Sequence, residues 1–285
     1  MNGRIAALAA ALCLFFGIAS CADASVGNEP CGAFALYCVD DGELLDAENI
    51  DGRIAPASLT KLLTAATALR YVSADEVFTV GSEQELVNPN SSVSFILQGH
   101  EVRLYDLIAA MLLVSGNDAA YTVAVSTARR VSGEALSDKG AVEYFCGLMN
   151  ALAEELGMDK SRFANPDGWD NKAHYTAVSD LLKLAEYALT VPEIREIASM
   201  REYYAVFESG ENVTWTNSNK LLDPDSEYYR EGAFGLKTGT TERAGCCLIG
   251  AFSADGKTYI TVAVGCDTDA ERYERTLELI DKCGD

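Results

Sequence analysis

Short, largely apolar runs bounded by turn residues lie near both ends of the chain, and such runs predict β-strands. Ala33 to Val39 and Glu43 to Ala47 flank Asp40-Asp41-Gly42, which is the pattern of two strands joined by a tight turn. A second Asp-Gly turn stands at Asp255-Gly256. The later strand-like segments are Tyr203 to Phe207, Ala233 to Lys237, Cys246 to Phe252 and Tyr259 to Gly265.

Between these segments, apolar residues recur three and four positions apart, which predicts α-helices. The first helix starts near Pro56, because proline is tolerated in a first turn, and its apolar face runs from Leu59 to Leu69. Further helices, the last of which closes the chain, are predicted at Leu104 to Val114, Ala119 to Arg130, Ala141 to Leu156, Val178 to Ala188 and Asp269 to Lys282.

This order of elements predicts an α/β (α+β) fold in which both termini contribute to one sheet. The helices, at about residues 62–200, form an inserted lobe that makes the other wall of a cleft. Pro-rich and Gly/Ser-rich linkers are absent from the sequence, so residues 30–285 are predicted to form one domain.

Composition narrows the function classes. The chain has 285 residues, 49% of them hydrophobic, which is enough for a sizeable core. Its 22 Lys and Arg against 43 Asp and Glu give a net charge of -21. No basic run is present that could neutralise phosphates, so nucleic acid is excluded as a partner, and the acidic surface favours a soluble domain.

The N-terminus is typical of a signal peptide, predicted at residues 1–24. Arg4 precedes an apolar stretch from Ile5 to Ile18 that is too short to span a bilayer with ease. Two processing outcomes compete: the segment before Cys21 resembles a lipoprotein box, and Ala22-Asp23-Ala24 resembles an ordinary cleavage site. The protein is therefore predicted to be exported, with membrane attachment only through a lipid on Cys21.

Nine cysteines in an exported chain raise the question of disulfides and metal sites. Removal of the leader leaves an odd number without paired CxxC spacing, so no zinc site is indicated. Cys31 and Cys38 would lie roughly 23 Å apart in an extended strand, beyond disulfide reach. Cys246, Cys247 and Cys266 are predicted to pack as small apolar side chains.

Ser58-Leu59-Thr60-Lys61 stands at the start of the first predicted helix. A spacing of three brings the hydroxyl of Ser58 and the amine of Lys61 to one face, a turn apart. Serine needs a neighbour to accept its proton, and lysine accepts it only where burial or nearby positive charge favours its neutral form. Alone, the spacing is also that of many ordinary helix starts.

Two further polar motifs follow apolar segments. Ser115-Gly116-Asn117 places a hydroxyl and a carboxamide at a corner between helices, where a simple cap is the alternative explanation. Lys237-Thr238-Gly239-Thr240 ends the strand predicted from Ala233, and Gly239 would let a substrate backbone approach the strand edge.

The three motifs occur once each and in order, and together they resemble the serine penicillin-binding proteins and β-lactamases. The flanking residues resemble more closely the low-molecular-weight D-alanyl-D-alanine carboxypeptidases, over roughly residues 30–282. This resemblance implies a DD-peptidase/β-lactamase-like fold with an antiparallel sheet, and neither a cofactor nor a metal. The flanks are Ala55 to Lys61, Ser115 to Ala120, Phe163 to Gly168, Gly235 to Thr241 and Ala244-Gly245.

The resemblance also implies roles. Ser58 would attack the peptide bond between two D-alanines of a peptidoglycan stem peptide, Lys61 would accept its proton, and Ser115 would relay a proton to the leaving amine. An acyl-enzyme would form, which water hydrolyses, and penicillin and other β-lactams would bind covalently to Ser58.

The same resemblance gives the substrate-binding residues. Asn117 would hold the substrate amide, Lys237 and Thr238 would engage the terminal carboxylate, and Lys237 would also favour neutral Lys61. The backbone N–H groups of Ser58 and Thr240 would stabilise the oxyanion. Gly239 would let the substrate backbone approach the strand edge.

The chain departs from the fuller family pattern in two ways. It stops at Asp285, so no C-terminal β-domain is expected. Where some members place an arginine that clamps the substrate carboxylate, this chain has Ser218 near Lys220, which leaves Arg243 and Lys257 as weak candidates for the clamp.

Several alternatives stay open. A class A-like β-lactamase would need a glutamate that activates water, and Gly116 departs from that class. A transpeptidase or endopeptidase would use the same acyl-enzyme, and a non-catalytic binder of wall peptides or penicillin would keep only the cleft. His100 and His174 are predicted to be structural or exposed rather than part of a triad. Trp169 and Trp215 are predicted to pack, with a groove for glycan or peptide as the alternative.

Overall fold

The computed structural model describes residues 32–283, and a five-stranded sheet runs through their centre. The strand order is β2-β1-β9-β8-β7, and every neighbouring pair is antiparallel. Both ends of the described chain therefore share one sheet, as predicted. The strands are β1 (Ala33–Cys38), β2 (Glu43–Glu48), β7 (Ala233–Thr241), β8 (Gly245–Ala254) and β9 (Lys257–Cys266).

Six helices and two small two-stranded sheets lie between β2 and β7 in the chain. One sheet pairs β3 (Val77–Thr79) with β4 (Glu101–Arg103), and the other pairs β5 (Glu202–Val206) with β6 (Asn212–Thr216). A short 3-10 turn, Ala57–Leu59, precedes the first helix, and α7 follows β9. The helices are α1 (Thr60–Tyr71), α2 (Leu104–Leu113), α3 (Asn117–Ser132), α4 (Asp138–Glu155), α5 (Val178–Thr190), α6 (Pro192–Ser199) and α7 (Asp269–Asp281).

Both faces of the sheet are covered, and β1 shows how its sequence produces this. Ala33 and Ala35 belong to the large core that the inserted helices share, whereas Phe34 and Leu36 pack with Ile280 of α7. Successive side chains of a strand point to opposite faces, so a nearly continuous apolar strand is expected where both faces are buried.

The predicted fold class is confirmed, but several elements differ from the prediction. The short elements β3, β4 and α6 were not predicted. The strand predicted to end at Lys237 continues to Thr241, so all four residues of Lys237 to Thr240 lie inside β7. The hairpin strand β6 was not predicted, because among its alternating residues only Trp215 is deeply buried. The leader, with Cys21, and the residue Cys31 lie outside the described residues, and the predicted domain boundaries stay a prediction.

Candidate active site

Ser58 and Lys61 meet at the start of α1. Ser58 lies in the 3-10 turn before the helix, and Lys61 is in the first turn of the helix itself. The Nζ atom of Lys61 lies 2.8 Å from the Oγ atom of Ser58, within hydrogen-bond distance. The predicted proximity of the Ser58 hydroxyl and the Lys61 amine is therefore present in the structure.

Lys61 has two further partners, and both are carbonyl oxygens. Its Nζ lies 2.6 Å from Asn117 Oδ1 and 2.7 Å from the backbone oxygen of Asp167. Carbonyls only accept hydrogen bonds, whereas the hydroxyl of Ser58 can also donate one. A neutral amine has two N–H groups and one lone pair, so it can donate to both carbonyls and accept from Ser58.

Burial favours this neutral form of Lys61. The side chain is fully buried, and its desolvation lowers the pKa of Lys61 to about 8, against the opposing carboxylates of Asp167 and Asp118. Burial likewise raises the pKa of Asp167, although Lys61 opposes that shift. Both groups are thus pushed toward their neutral forms.

The predicted corner between α2 and α3 brings Asn117 to the site. Ser115 adopts a left-handed φ of 62°, and Asn117 is the first residue of α3. Asn117 Nδ2 donates to Asp167 Oδ2 at 2.8 Å. Within the described residues, no hydrogen bond joins Ser115 to Ser58 or Lys61, so the hydroxyl of Ser115 is not held by either of them.

Gly116 is required by packing at this corner. A Cβ atom there would lie 2.7 Å from both the Cβ and the Oγ of Ser94, and equally close to Asp118 Oδ1. Asp118 in turn accepts hydrogen bonds from the backbone N–H and the hydroxyl of Ser94, and from the N–H of Ile96. A residue larger than glycine would therefore displace the segment that Asp118 holds.

Lys237 and Thr238 lie in β7 beside these groups. Lys237 is 1% exposed and donates from Nζ to the backbone oxygen of Thr238 at 2.8 Å. Burial, then the charges of Lys61 and Arg272, hold the pKa of Lys237 well below its usual value. Burial is the largest cause of the lowered pKa of both lysines, and the charge of Lys61 adds to the shift of Lys237.

Two glycines let other backbone segments approach Ser58. A Cβ on Gly239 would lie 3.0 Å from the Ser58 nitrogen, so the absence of a side chain at Gly239 makes room for the backbone of Ser58. Gly168 has a φ of 89°, and a Cβ there would lie 1.8 Å from the backbone oxygen of Ala57. Ala57 itself has a left-handed φ of 48°, which fits the strain often found at functional sites.

The loop of residues 165–170 lies next to Ser58 and is hydrogen-bonded to both α1 and β7. Thr64 of α1 donates to the oxygen of Pro166 at 2.6 Å, and Thr241 of β7 donates to Asp170 Oδ1 at 2.7 Å. Asn165 Oδ1 accepts from the N–H of Gly168 and closes the turn. The flanking residues Phe163 to Gly168 carried the resemblance, but their position next to Ser58 depends on tertiary packing.

Arg272 of α7 is a site residue that the sequence did not indicate. It is 8% exposed, and its Nη1 donates to the oxygen of Gly239 and to Oγ1 of Thr240, both at 3.1 Å. The two weak candidates for the carboxylate clamp, Arg243 and Lys257, lie elsewhere. Arg243 is exposed, with its backbone N–H donating to Asp170, and Lys257 is paired with Asp41 at the start of β9.

A family model described as D-alanyl-D-alanine carboxypeptidase matches residues 31–268. The chain belongs to this family. It is 30% identical over 288 residues to the D-alanyl-D-alanine carboxypeptidase DacC of Escherichia coli (strain K12), with 97% of this chain and 67% of that protein covered. It is 27% identical over 245 residues to DacF of Bacillus subtilis (strain 168), with 85% of this chain covered. The chain spans 59% of the length of DacF.

A solved structure agrees with this membership. The crystal structure of the Streptomyces K15 DD-transpeptidase matches with a TM-score of 0.79 and 28% identity, covering 89% of this chain and 97% of that chain. The antiparallel DD-peptidase fold inferred from the motifs is therefore confirmed for this family member.

Three further side chains singled out by the sequence, His174, Trp215 and His100, make structural contacts. His174 is buried, accepts at Nδ1 from the N–H of Ala164 and lies 2.8 Å from Thr60 Oγ1. Trp215 is 3% exposed and donates to the oxygen of Ser94, so its packing role is confirmed. The ring of His100 packs against Phe207 in a tilted arrangement, with centroids 5.3 Å apart.

Metal sites and membrane spans were also sought in residues 32–283. No three His, Cys, Asp or Glu side chains gather there in a way that could hold a metal ion. No helix in that range is both long and apolar enough to traverse a bilayer.

Proposed function

We propose that this family member is a serine-type D-alanyl-D-alanine carboxypeptidase that acts on peptidoglycan stem peptides through an acyl-enzyme on Ser58. The observation that carries the proposal is the 2.8 Å contact between Lys61 Nζ and Ser58 Oγ in a buried site. The family membership supports the substrate class, and the names of the relatives support removal of a terminal D-alanine.

In the proposed reaction, Ser58 Oγ attacks the carbonyl carbon between the two D-alanines while its proton passes to the lone pair of neutral Lys61. The tetrahedral intermediate collapses, its C–N bond breaks, and the leaving D-alanine amine takes a proton through Ser115. Water then cleaves the ester and restores the Ser58 hydroxyl. The N–H groups of Ser58 and Thr240 stabilise the oxyanion, where one such donor is typically worth about 3 to 4 kcal/mol.

Substrate binding is assigned to the β7 edge and the α3 start. Asn117 holds the substrate amide, and Lys237 with Thr238 binds the terminal carboxylate, while Gly239 keeps the strand close to Ser58. Thr238 Oγ1 lies 2.8 Å from the hydroxyl of Ser218, which orients it. Arg272 acts through the strand, because its guanidinium holds Gly239 and Thr240.

The arrangement of Asp167 argues against the β-lactamase alternative. That activity needs a carboxylate free to activate a deacylating water. Asp167 is 1% exposed, and its two oxygens already accept from Asn117 Nδ2 and from the N–H of Trp169. We therefore expect a slowly hydrolysed penicillin adduct.

The test is intact-protein mass spectrometry of the purified chain with excess penicillin, followed over minutes to hours and repeated with Ser58→Ala. One stable adduct that is absent from Ser58→Ala, together with D-alanine release from a pentapeptide, supports the carboxypeptidase. A rapidly vanishing adduct would favour a β-lactamase, an adduct without D-alanine release a non-catalytic binder, and no adduct on folded wild-type protein would refute the acyl-enzyme.

A DD-transpeptidase is the second candidate, and the name of the K15 structural relative is the observation that favours it. Water and an amine compete for the same acyl-enzyme, so the two activities differ only in the acceptor. Adding glycine or a D-amino acid to the pentapeptide assay separates them, because a transpeptidase converts the acyl-enzyme to a new amide instead of the free acid.

We also propose that the protein acts outside the cytoplasmic membrane, where peptidoglycan lies. Whether Cys21 carries a lipid or the leader is cut after Ala24 is decided by the mass of the mature N-terminus from membrane and soluble fractions of expressing bacteria. A diacylated Cys21 in the membrane fraction would establish the anchor, and an unmodified soluble N-terminus would exclude it.

A further inference from the structure

Two cysteines lie opposite each other on β8, which is the neighbour of β7, and on β9, the next strand of the sheet. Cys246 of β8 and Cys266 of β9 are direct register partners, and both thiols are free in the structure. Directly opposed residues in antiparallel strands have Cα atoms about 4.5 to 5.5 Å apart. That range falls within the roughly 4.4 to 6.8 Å that a disulfide bond spans.

A neighbouring glycine gives independent evidence of the close approach. Gly245 has a φ of 65°, and a Cβ there would lie 2.7 Å from the backbone oxygen of Cys266. The two backbones are therefore in contact at this point, where the register also shifts between Cys246 and Leu248.

The two thiols share the sheet face that carries α7. Register partners point to the same face, and Cys246 is also the register partner of Thr240 on β7. The hydroxyl of Thr240 lies 3.9 Å from Cys246 Sγ and accepts from Arg272 of α7. Cys247, one position along, points to the opposite face, where it belongs to the large core.

We propose that Cys246 and Cys266 are a modification site, forming a reversible disulfide bond by exchange with a disulfide oxidant and linking β8 to β9 beside the catalytic strand. Exported chains meet such oxidants, whereas cytosolic ones are kept reduced. The bond itself is independent of catalysis, and only its position beside Thr240 rests on the proposed function.

The chemistry proceeds in two exchange steps. Cys246 is the more exposed thiol, whereas Cys266 is 2% exposed and burial raises its pKa to about 12. The Cys246 thiolate therefore attacks the oxidant, for example oxidised glutathione, and releases one glutathione thiolate. The sulfur of Cys266 loses its proton, attacks Cys246 Sγ in the mixed disulfide and releases the second glutathione. Two protein thiols are oxidised and one disulfide is reduced to two thiols.

The bond closes the β8–β9 hairpin, so it restricts the unfolded chain more than the folded one. Because the strands already lie in register, we expect the melting temperature to rise by about 5 to 10 °C on oxidation. Penicillin acylation should change less than threefold, since Thr240 stays bound to Arg272.

The experiment treats the full folded chain with oxidised glutathione, blocks the remaining thiols with an alkylating agent and maps the unreduced peptides by mass spectrometry. We expect a peptide pair joined through Cys246 and Cys266 that a reducing agent separates. Cys247→Ser is the matched control and should form the same link. Cys266→Ser should stop at one glutathione on Cys246, and Cys246→Ser should form no link.

Alkylation of both thiols after oxidation of the wild-type chain, or a link through Cys247 instead, would overturn the inference without any variant having to fold. Penicillin labelling of the same samples separates the two proposals. A penicillin adduct without the link rejects only the disulfide, and the link without an adduct rejects only the acyl-enzyme.

Discussion

At the scale of single residues, the position of Ser58 depends on the absence of a side chain at Gly168. Its α-hydrogen side faces Ala57 and Ser58, so Gly168→Ala would force a methyl group into the backbone that carries the nucleophile. We expect a loss of about 3 to 5 kcal/mol in the free energy of unfolding and almost no penicillin acylation.

Gly147→Ala is the matched control, because Gly147 is exposed in α4 and a Cβ there meets nothing within 4 Å. It should leave acylation unchanged and stabilise the helix by up to about 1 kcal/mol. Urea denaturation and the rate of penicillin labelling measure both variants. Equal stability of the two would show that the backbone at Ala57 relaxes freely.

Lys61 gives a second prediction at the same scale. It accepts a proton only when neutral, and its pKa is lowered to about 8. The neutral fraction, and with it the second-order rate of acylation, should rise about tenfold from pH 7 to pH 9. Time courses of penicillin labelling, quenched at set times across this pH range, measure how the acylation rate depends on pH.

Lys61→Arg is the control for that profile, since arginine keeps the positive charge but stays protonated. It should slow acylation by at least about a thousandfold at every pH. A wild-type rate that does not change between pH 7 and pH 9 would contradict the role of Lys61 as base.

At the scale of elements, α7 holds the C-terminal half of β7 in place through Arg272. Arg272→Ala removes hydrogen bonds to Gly239 and Thr240, so the strand loses its support behind Ser58. We expect about 2 to 3 kcal/mol lower stability and at least tenfold slower acylation at a temperature where the variant is still folded.

Arg275→Ala is the matched change on the same helix, because Arg275 is more exposed and pairs with Glu278. It should cost less than about 1 kcal/mol and leave acylation unchanged. The pH profile of acylation distinguishes support from general damage: a lower rate with an unchanged midpoint near pH 8 fits positioning through the strand.

The same elements explain how far the sequence predicts the site. Ser58 and Lys61 are three residues apart, so one helical turn brings them together and local geometry suffices. The strand pattern stopped short at Lys237 because Thr238 to Thr241 are polar or small, and only pairing with β8 shows that β7 continues. Arg272 lies in a helix whose apolar spacing gives no sign of a polar contact with another strand.

At the scale of the whole molecule, the net charge of the chain is -21, but three basic side chains lie close together around Ser58 and β7. Lys61 and Lys237 are buried beside Ser58, and Arg272 lies behind β7. Burial of like charges is costly, and it keeps both lysines easy to deprotonate. The free-energy cost of this burial lies at the proposed active site, where Lys61 is the proposed base and Lys237 the proposed carboxylate-binding residue.

Buried His174 links the fold to pH. Its ring is hydrogen-bonded to Thr60 at the start of α1 and to Ala164 in the loop before Asp167. Burial lowers the pKa of His174 from 6.5 to about 3. A lowered folded-state pKa means that the stability is fully present above pH 6.5 and is lost progressively as the pH falls toward 3. Between pH 7 and pH 4.5 this group should remove about 2 to 3 kcal/mol.

Urea denaturation of the wild type and of His174→Gln at both pH values isolates that contribution. The variant should be less stable at pH 7, because glutamine replaces the imidazole that joins Thr60 to Ala164. Its free energy of unfolding should nevertheless fall by about 2 to 3 kcal/mol less on acidification than that of the wild type. Equal losses for both proteins would mean that protonation of His174 does not oppose folding, and the acid sensitivity would then have to come from the carboxylates.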